Sequence, residues 1–450
     1  MSVLSEPFVR DALCAAAVPR RMGRVSRLVG LLLEVEGLEA AAGDAVWVRR
    51  SDGSLLATEV LALREGTLAC VPLGELSGVR YGDAAETAGR PLTLTVGEGL
   101  LGRVLDGLGR PIDDGPPLSG GEQVPFGAAP PHPLRRDMVD RPISLGVRAI
   151  DTAVPCGRGQ RLGIFAGSGV GKSSLLSMIA RGTDAQVSVV TLIGERGREV
   201  AELVRRDLHE ALSRSVVVVA TSDQPALVRL RAAFAATRIA EWFRDQGNDV
   251  VLMMDSLTRF AMAQREVALS AGEPPATRGY PPSVFALLPR LLERAGAAER
   301  GSITALYTVL VEGDDMDEPV ADAARAILDG HIVLSRRLAT AGHFPSIDVL
   351  DSISRVAPAV TSPGQQALAR ELRRLLGAYR DARDLVEIGA YVKGSNPLVD
   401  RALELHGAIE TFLRQEVGEI SSAEEAWSRL TAVLAPPGDV AGARAGGAVA

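Results

Sequence analysis

Apolar and polar positions fall into three regimes along the chain. From about Arg24 to Val96 the apolar residues form short runs of β character, Leu28 to Glu36, Ala45 to Val48, Leu55 to Leu63, Thr67 to Val71 and Leu92 to Val96, broken by Gly, Asp and Glu. Closely spaced short strands with turn residues between them predict a small antiparallel barrel or sandwich. From about Leu145 apolar runs alternate with longer helical stretches; the runs are Arg161 to Phe165, Val187 to Ile193, Val216 to Ala220, Val250 to Met254, Ile303 to Leu310 and His331 to Leu334. That alternation predicts crossover helices covering both faces of a mostly parallel sheet, an α/β fold. From about Gly364 to Val433 the chain reads as helical, with Leu368, Leu372, Leu375, Leu376 and Tyr379 at the spacing of one packed helix face. At the amino end Pro7 suits the first turn of a short helix ending near Ala17, and the Ala/Gly-rich stretch after Pro436 lacks the material for a core and reads as disordered.

Composition narrows the class. The 450 residues, 46% hydrophobic and 23% charged, leave room for two or three domains. No apolar run is long enough to span a bilayer, and Glu6, Arg10 and Asp11 interrupt the stretch a signal peptide would need, so a soluble, cytoplasmic protein is expected. Cys14, Cys70 and Cys156 show no paired spacing and read as small buried hydrophobes. A formal charge of -7 with 4% aromatics supplies neither a basic footprint nor base-stacking rings, so nucleic acid is not expected as a partner. Only two of the 49 basic residues are lysines, Lys172 and Lys393. A lysine kept against that bias marks a place where a compact ammonium is needed and a planar guanidinium does not fit. Lys393 has no such context and reads as a solvated surface residue.

Lys172 lies in Ala166-Gly167-Ser168-Gly169-Val170-Gly171-Lys172-Ser173, which follows an apolar strand and opens a helical run beginning at Ser174. Glycines let backbone N–H groups turn toward phosphates, and the helix N-terminus favours their charge. Lys172 then reaches the β/γ oxygens, and Ser173 ligates Mg²⁺. Ala166 replaces the glycine of the strict pattern, which is tolerable where no positive φ is needed. The strand Val250 to Met254 ends at Asp255, as a second Mg²⁺-binding motif would, although many buried strands end in Asp as a cap. Gly194-Glu195-Arg196-Gly197-Arg198-Glu199 follows the strand ending at Ile193, where open parallel sheets bind ligands. Glu195 can polarise an attacking water and Arg196 can contact the γ-phosphate, or the segment is a solvated charged turn. Arg355, in Ser352-Ile353-Ser354-Arg355-Val356, is a candidate arginine finger supplied to a neighbouring subunit, or an ordinary surface arginine.

Together these motifs resemble the rotary-type ATPase family and, within it, the ATPases of type III protein export in their flagellum-specific branch. The resemblance runs from about Arg24 to Gln415. It is carried by LGRVLDGLGRP (Leu101 to Pro111), GRGQRLGIFAGSGVGK (Gly157 to Lys172), LIGERGREV (Leu192 to Val200), DSLTRFAMAQ (Asp255 to Gln264), RGYPPSV (Arg278 to Val284), EGDD (Glu312 to Asp315), ILDGHIVLSR (Ile327 to Arg336) and Ser352 to Val356. It implies a RecA-like P-loop core between an N-terminal β-barrel and a C-terminal helical domain. The expected division is 1–20, a possible helix; 21–97, the barrel; 98–360, the ATP-binding domain; 361–434, the helical domain; and 435–450, the tail.

The resemblance further implies ATP and Mg²⁺ as cofactors, with Gly167 to Ser174 cradling the nucleotide and Ser173 and Asp255 serving the metal. Lys172, Glu195, Arg196 and Arg355 would be the catalytic set, Arg355 acting in trans within a homohexamer, and Phe344 would stack on adenine. Implied partners are a flagellar export gate, a regulatory stator-like protein, a central stalk-like protein, export substrates and their chaperones, with peripheral contact at the inner face of the membrane. The stretch Asp384 to Tyr391 looks more flagellar than virulence-associated. Alternatives of the same family are a virulence export ATPase and the catalytic subunit of a rotary ATP synthase; a hexameric RNA translocase shares the core but not the composition.

Overall fold

The computed structural model describes residues 21–435 except 119, 209, 312 and 314. The expected N-terminal helix, Cys14 and the tail lie outside the described residues.

Six strands, β1 (Arg21–Val29), β2 (Leu32–Glu36), β3 (Asp44–Arg49), β4 (Leu55–Arg64), β5 (Thr67–Pro72) and β6 (Ala84–Pro91), close into a barrel in the order β1-β2-β5-β4-β3-β6. Alternate residues point inward, so Val25, Leu33, Val35, Val46, Val48, Leu56, Val60 and Cys70 fill one small core. Closure leaves no unpaired strand edge. The single run read at Leu28 to Glu36 is in fact the turn of a hairpin: Gly30, at φ 59°, reverses the chain between β1 and β2. The run Leu92 to Val96, expected among the barrel strands, stands outside it; β7 (Thr93–Val96) pairs instead with β9 (Glu122–Pro125).

The second body is a twisted sheet in the order β19-β18-β12-β17-β15-β13-β14-β8. Its strands are β8 (Val104–Asp106), β12 (Arg161–Ala166), β13 (Val187–Ile193), β14 (Ser215–Ala220), β15 (Asp249–Asp255), β17 (Ser302–Leu310), β18 (Gly330–Leu334) and β19 (Ile347–Ser354). All neighbours along this order are parallel except β18 and β19. Two-residue strands β10 (Pro142–Ile143) and β11 (Cys156–Gly157) pair with each other, and β16 (Gly296–Ala297) borders β17. The apolar runs are buried on both sides because successive residues face opposite layers. Val187, Val189 and Ile193 join one cluster, with α3 (Ala226–Asp245) and α4 (Leu257–Ser270). Val190 and Leu192 join the other, with α1 (Arg148–Ala153), α2 (Lys172–Gly182) and the C-terminal helices.

Those C-terminal helices are α5 (Pro363–Glu387), α6 (Pro397–Leu413) and α7 (Ala423–Leu434). Helix α5 begins on a capping box, in which the Ser362 hydroxyl accepts from the Gln365 N–H and the Gln365 side chain accepts from the Ser362 N–H. Leu372 and Leu375 carry its buried stripe, while Ile388 and Val392, just past its end, are exposed. No helix among the described residues is long and apolar enough to cross a membrane. Cys70 and Cys156 are buried free thiols, and burial pushes the Cys70 thiol up to about 11. Lys393 is exposed.

Candidate active site

Strand β12 delivers the chain to the phosphate loop at its carboxyl end, and α2 starts at Lys172 immediately after it. Two turns of the loop use left-handed glycines, Gly169 at φ 76° and Gly171 at φ 94°. Val170 between them is buried, and its carbonyl accepts from the Ser346 hydroxyl at 2.6 Å, which fastens the loop to the start of β19. A Cβ on Gly171 would lie 3.3 Å from the ring of Phe344, so the aromatic rests directly on the loop.

Sheet register brings the remaining groups to Lys172. Asp255 ends β15 opposite Leu192 of β13, three residues before Glu195. The ammonium of Lys172 donates to Asp255 Oδ1 and, at 3.5 Å, to Glu195 Oε1. Asp255 Oδ1 also accepts from the Thr308 hydroxyl at 2.7 Å, from β17, which lies between β15 and the strand β12 that leads into the loop. Burial disfavours the charged lysine, but Asp255 and Glu195 outweigh it and hold its pKa above the usual value. Burial pushes the Glu195 carboxyl up, opposed by the Lys172 charge and reinforced by Asp255.

Clefts open on both sides of the loop, and Ser174 lines each. One, of about 240 Å³, is bordered by Ser173, Glu195 and Asp255. The other, of about 350 Å³, is bordered by Gly171, Phe344, Pro345, Gln415 and Val417. One wall of the second cleft therefore comes from the turn that leaves α6.

A model of the ATP synthase alpha/beta family nucleotide-binding domain matches residues 146–354, and a model of the T3SS EscN ATPase C-terminal domain matches residues 361–432. The flagellum-specific ATP synthase of Bacillus subtilis is 48% identical, over 92% of this chain and 95% of its own length. The type 3 secretion system ATPase of Xanthomonas euvesicatoria is also 48% identical, over 96% of this chain and 98% of its own. The chain belongs to this family of export ATPases. The fold agrees throughout: the assembled ATPase EscN of the enteropathogenic E. coli type III secretion system superposes with a TM-score of 0.87 at 45% identity, covering 92% of this chain and all of that one.

In this member of the family, Lys172, Ser173, Glu195 and Asp255 come together, and Phe344 flanks them across the loop. Arg196 is exposed at the start of a short helix (Gly197–Glu202) and pairs with Glu199 at 3.1 Å. Arg355 lies elsewhere. Ser354 pairs with Gly330, beside the amino end of β12, whereas the loop leaves the carboxyl end. Strand β19 separates Arg355 from the loop: its ends, Ile347 and Ser354, pair with Leu334 and Gly330 of β18, so across a bulge the strand covers roughly 13 Å. The guanidinium of Arg355 is exposed and makes no ion pair among the described residues.

Sequence reasoning passed over three contributors. Arg259 on α4 packs its aliphatic stem against Gly194, its buried Nε has no partner among the described residues, and its charge favours the ionised form of Glu195. Thr308 is one of four hydroxyl residues in its strand, with Ser302, Thr304 and Tyr307, and nothing local set it apart. The 414–417 wall carried no signal, because its place beside Phe344 is set by packing distant in sequence.

Proposed function

We propose that this chain hydrolyses ATP with Mg²⁺ and spends the energy on type III export of flagellar proteins, unfolding substrates or releasing them from chaperones at the export gate. The observation that carries the reading is the Lys172 ammonium held at the mouth of a glycine loop between two carboxylates, Asp255 at the end of β15 and Glu195 just past the end of the neighbouring β13. When phosphates lie along the loop, the backbone N–H groups of Gly167 to Ser174 and Lys172 compensate their charge. Ser173 and Asp255 offer hard oxygen donors facing one cleft, a set that suits Mg²⁺, which keeps several waters and takes few protein ligands. The metal would neutralise charge on the β- and γ-oxygens. Glu195, whose carboxyl burial pushes upward, is placed to orient and accept a proton from the attacking water. Arg196 and Arg259 are among the guanidinium groups near the loop on offer to the γ-phosphate, and Phe344 is the surface on which the base stacks.

Arg355 completes such a site only from a neighbouring copy, which supports a homohexamer with sites between subunits. Solved relatives point the same way, one titled as the assembled EscN and another as EscN in complex with its central stalk EscO. A stalk-like partner, a stator-like regulator and peripheral contact with the inner face of the membrane at the export apparatus belong to the same proposal. The equal identity to a type 3 secretion ATPase supports a second reading, virulence export by the same chemistry. Deleting the gene and scoring swimming and secretion decides between them: lost motility, restored by the parent gene and not by Lys172→Ala, is expected. Intact motility with lost effector secretion would transfer the protein to the virulence system.

A further inference from the structure

Between α6 and α7 the chain makes a turn over Arg414 to Glu419, and this turn walls the cleft beside Phe344. Arg181 of α2 donates to the Val417 carbonyl, and a buried arginine is the centre of the contacts that hold the turn there. Arg148, at the start of α1 and 3% exposed, reaches it with its whole side chain. Its Nε donates to the Phe412 carbonyl at 2.9 Å, one terminal nitrogen donates to the Arg414 carbonyl, and the other pairs with Glu419. The Arg148 backbone N–H donates to Gln415 Oε1 at 2.9 Å. Gln415, also 3% exposed, spends its amide nitrogen on the carbonyls of Gly146 at 2.8 Å and Glu419 at 2.9 Å. Its own backbone N–H donates to the Phe344 carbonyl at 2.9 Å.

Such saturation has a definite geometry. A guanidinium has five donors in a fixed planar fork, which lets it meet two carbonyls and a carboxylate lying in different directions from one buried position. A second chain of contacts runs in parallel: His343 Nδ1 lies 2.9 Å from Glu410 Oε2, and Arg414 donates to the same carboxylate at 3.2 Å. Both chains end on the residues that flank or form the aromatic wall. Neither touches Lys172, Glu195 or Asp255.

We propose that Arg148 and Gln415 are positioning residues for the base end of the nucleotide: they seat the C-terminal turn against Phe344 and so set nucleotide affinity, leaving the hydrolytic step to the opposite cleft. The proposal rests on the reading of the Phe344 cleft as the base subsite. Phosphates contact the glycine loop, which this latch does not reach, so a ligand without a base is indifferent to it.

The test uses the full-length chain with two probes, a non-hydrolysable Mg-ATP analogue and Mg-tripolyphosphate, on Arg148→Gln, Gln415→Met and Phe344→Ala. Arg148→Gln and Gln415→Met are expected to weaken analogue binding about tenfold, the scale of one or two lost hydrogen bonds, while tripolyphosphate binding stays at the parent value. In turnover, KM for ATP rises by the same factor and kcat stays within about twofold of the parent. If Arg148→Gln does not fold, Gln415→Met, which keeps the side-chain volume, carries the decision. Equal weakening of both probes, or no weakening of either, overturns the latch. If Phe344→Ala weakens the analogue and the latch variants do not, the latch alone is wrong; if Phe344→Ala changes nothing, the base-subsite reading itself falls.

Discussion

Replacing Glu195 by Gln separates chemistry from stability. The carboxylate lies 3.5 Å from the Lys172 ammonium with its side chain only 14% exposed. At an effective dielectric of about 20 the gross attraction at that distance is roughly 5 kcal/mol, which alone would make the substitution costly. Yet the Glu195 carboxyl is pushed above its ordinary value, because burial and the neighbouring Asp255 charge together exceed the help from lysine. A group whose pKa is raised on folding binds its proton more tightly in the native state. The stability it contributes is present below the unfolded value of about 4.3 and is lost as pH rises through the folded one. At neutral pH the ionised Glu195 is therefore a net cost, and Glu195→Gln should unfold in urea at the parent's midpoint or above. Its stability should also lack the part of the parent's decline between acid and neutral pH that this group causes.

Turnover should behave oppositely. Loss of a positioned proton acceptor lowers kcat by about 10² to 10⁴, or roughly 2.7 to 5.4 kcal/mol of barrier. Nucleotide binding persists because Lys172 keeps Asp255 and the loop is untouched. The assay is a pair of urea titrations, at pH 5 and pH 8, beside steady-state hydrolysis and a nucleotide titration. Undiminished turnover refutes the role of base; a midpoint well below the parent's at pH 8 refutes the charge balance drawn around Lys172.

Lys172→Ala should reduce hydrolysis at least 10³-fold and weaken Mg-ATP binding in a direct titration, since the ammonium is the only charge within the loop. Arg355→Ala should cost about 10³ to 10⁵ in assembled protein and leave the basal rate of dilute protein unchanged. Mixing Lys172→Ala with Arg355→Ala subunits should recover part of the turnover, and no recovery at any ratio counts against a shared site. Parent activity per subunit should rise cooperatively with protein concentration, whereas a flat profile would place a complete site in one chain.

The parts of the fold that sequence made legible are those governed by local pattern. Six apolar runs became strands of the central sheet within a residue or two, because a strand buried on both faces must be apolar throughout. The antiparallel β19 escaped notice, since Asp348 and Asp351 interrupt its outer positions and a buried Ser352 interrupts its inner ones. Strand β7 was assigned to the barrel because its alternation is the same whichever partner it takes. The phosphate loop was readable since backbone geometry demands glycine at fixed spacing. The contacts of Thr308, Arg259 and Gln415 depend on register and on packing between segments far apart in the chain, which no local window contains.

The position of Arg355 has a physiological corollary. A solitary subunit displays this guanidinium at one rim of its sheet and the phosphate loop at the other, so its two halves can never meet by any local motion. Under the proposed trans role of Arg355, such a molecule would wait in bulk amid its fuel without squandering it, and become expensive only where it is gathered for work.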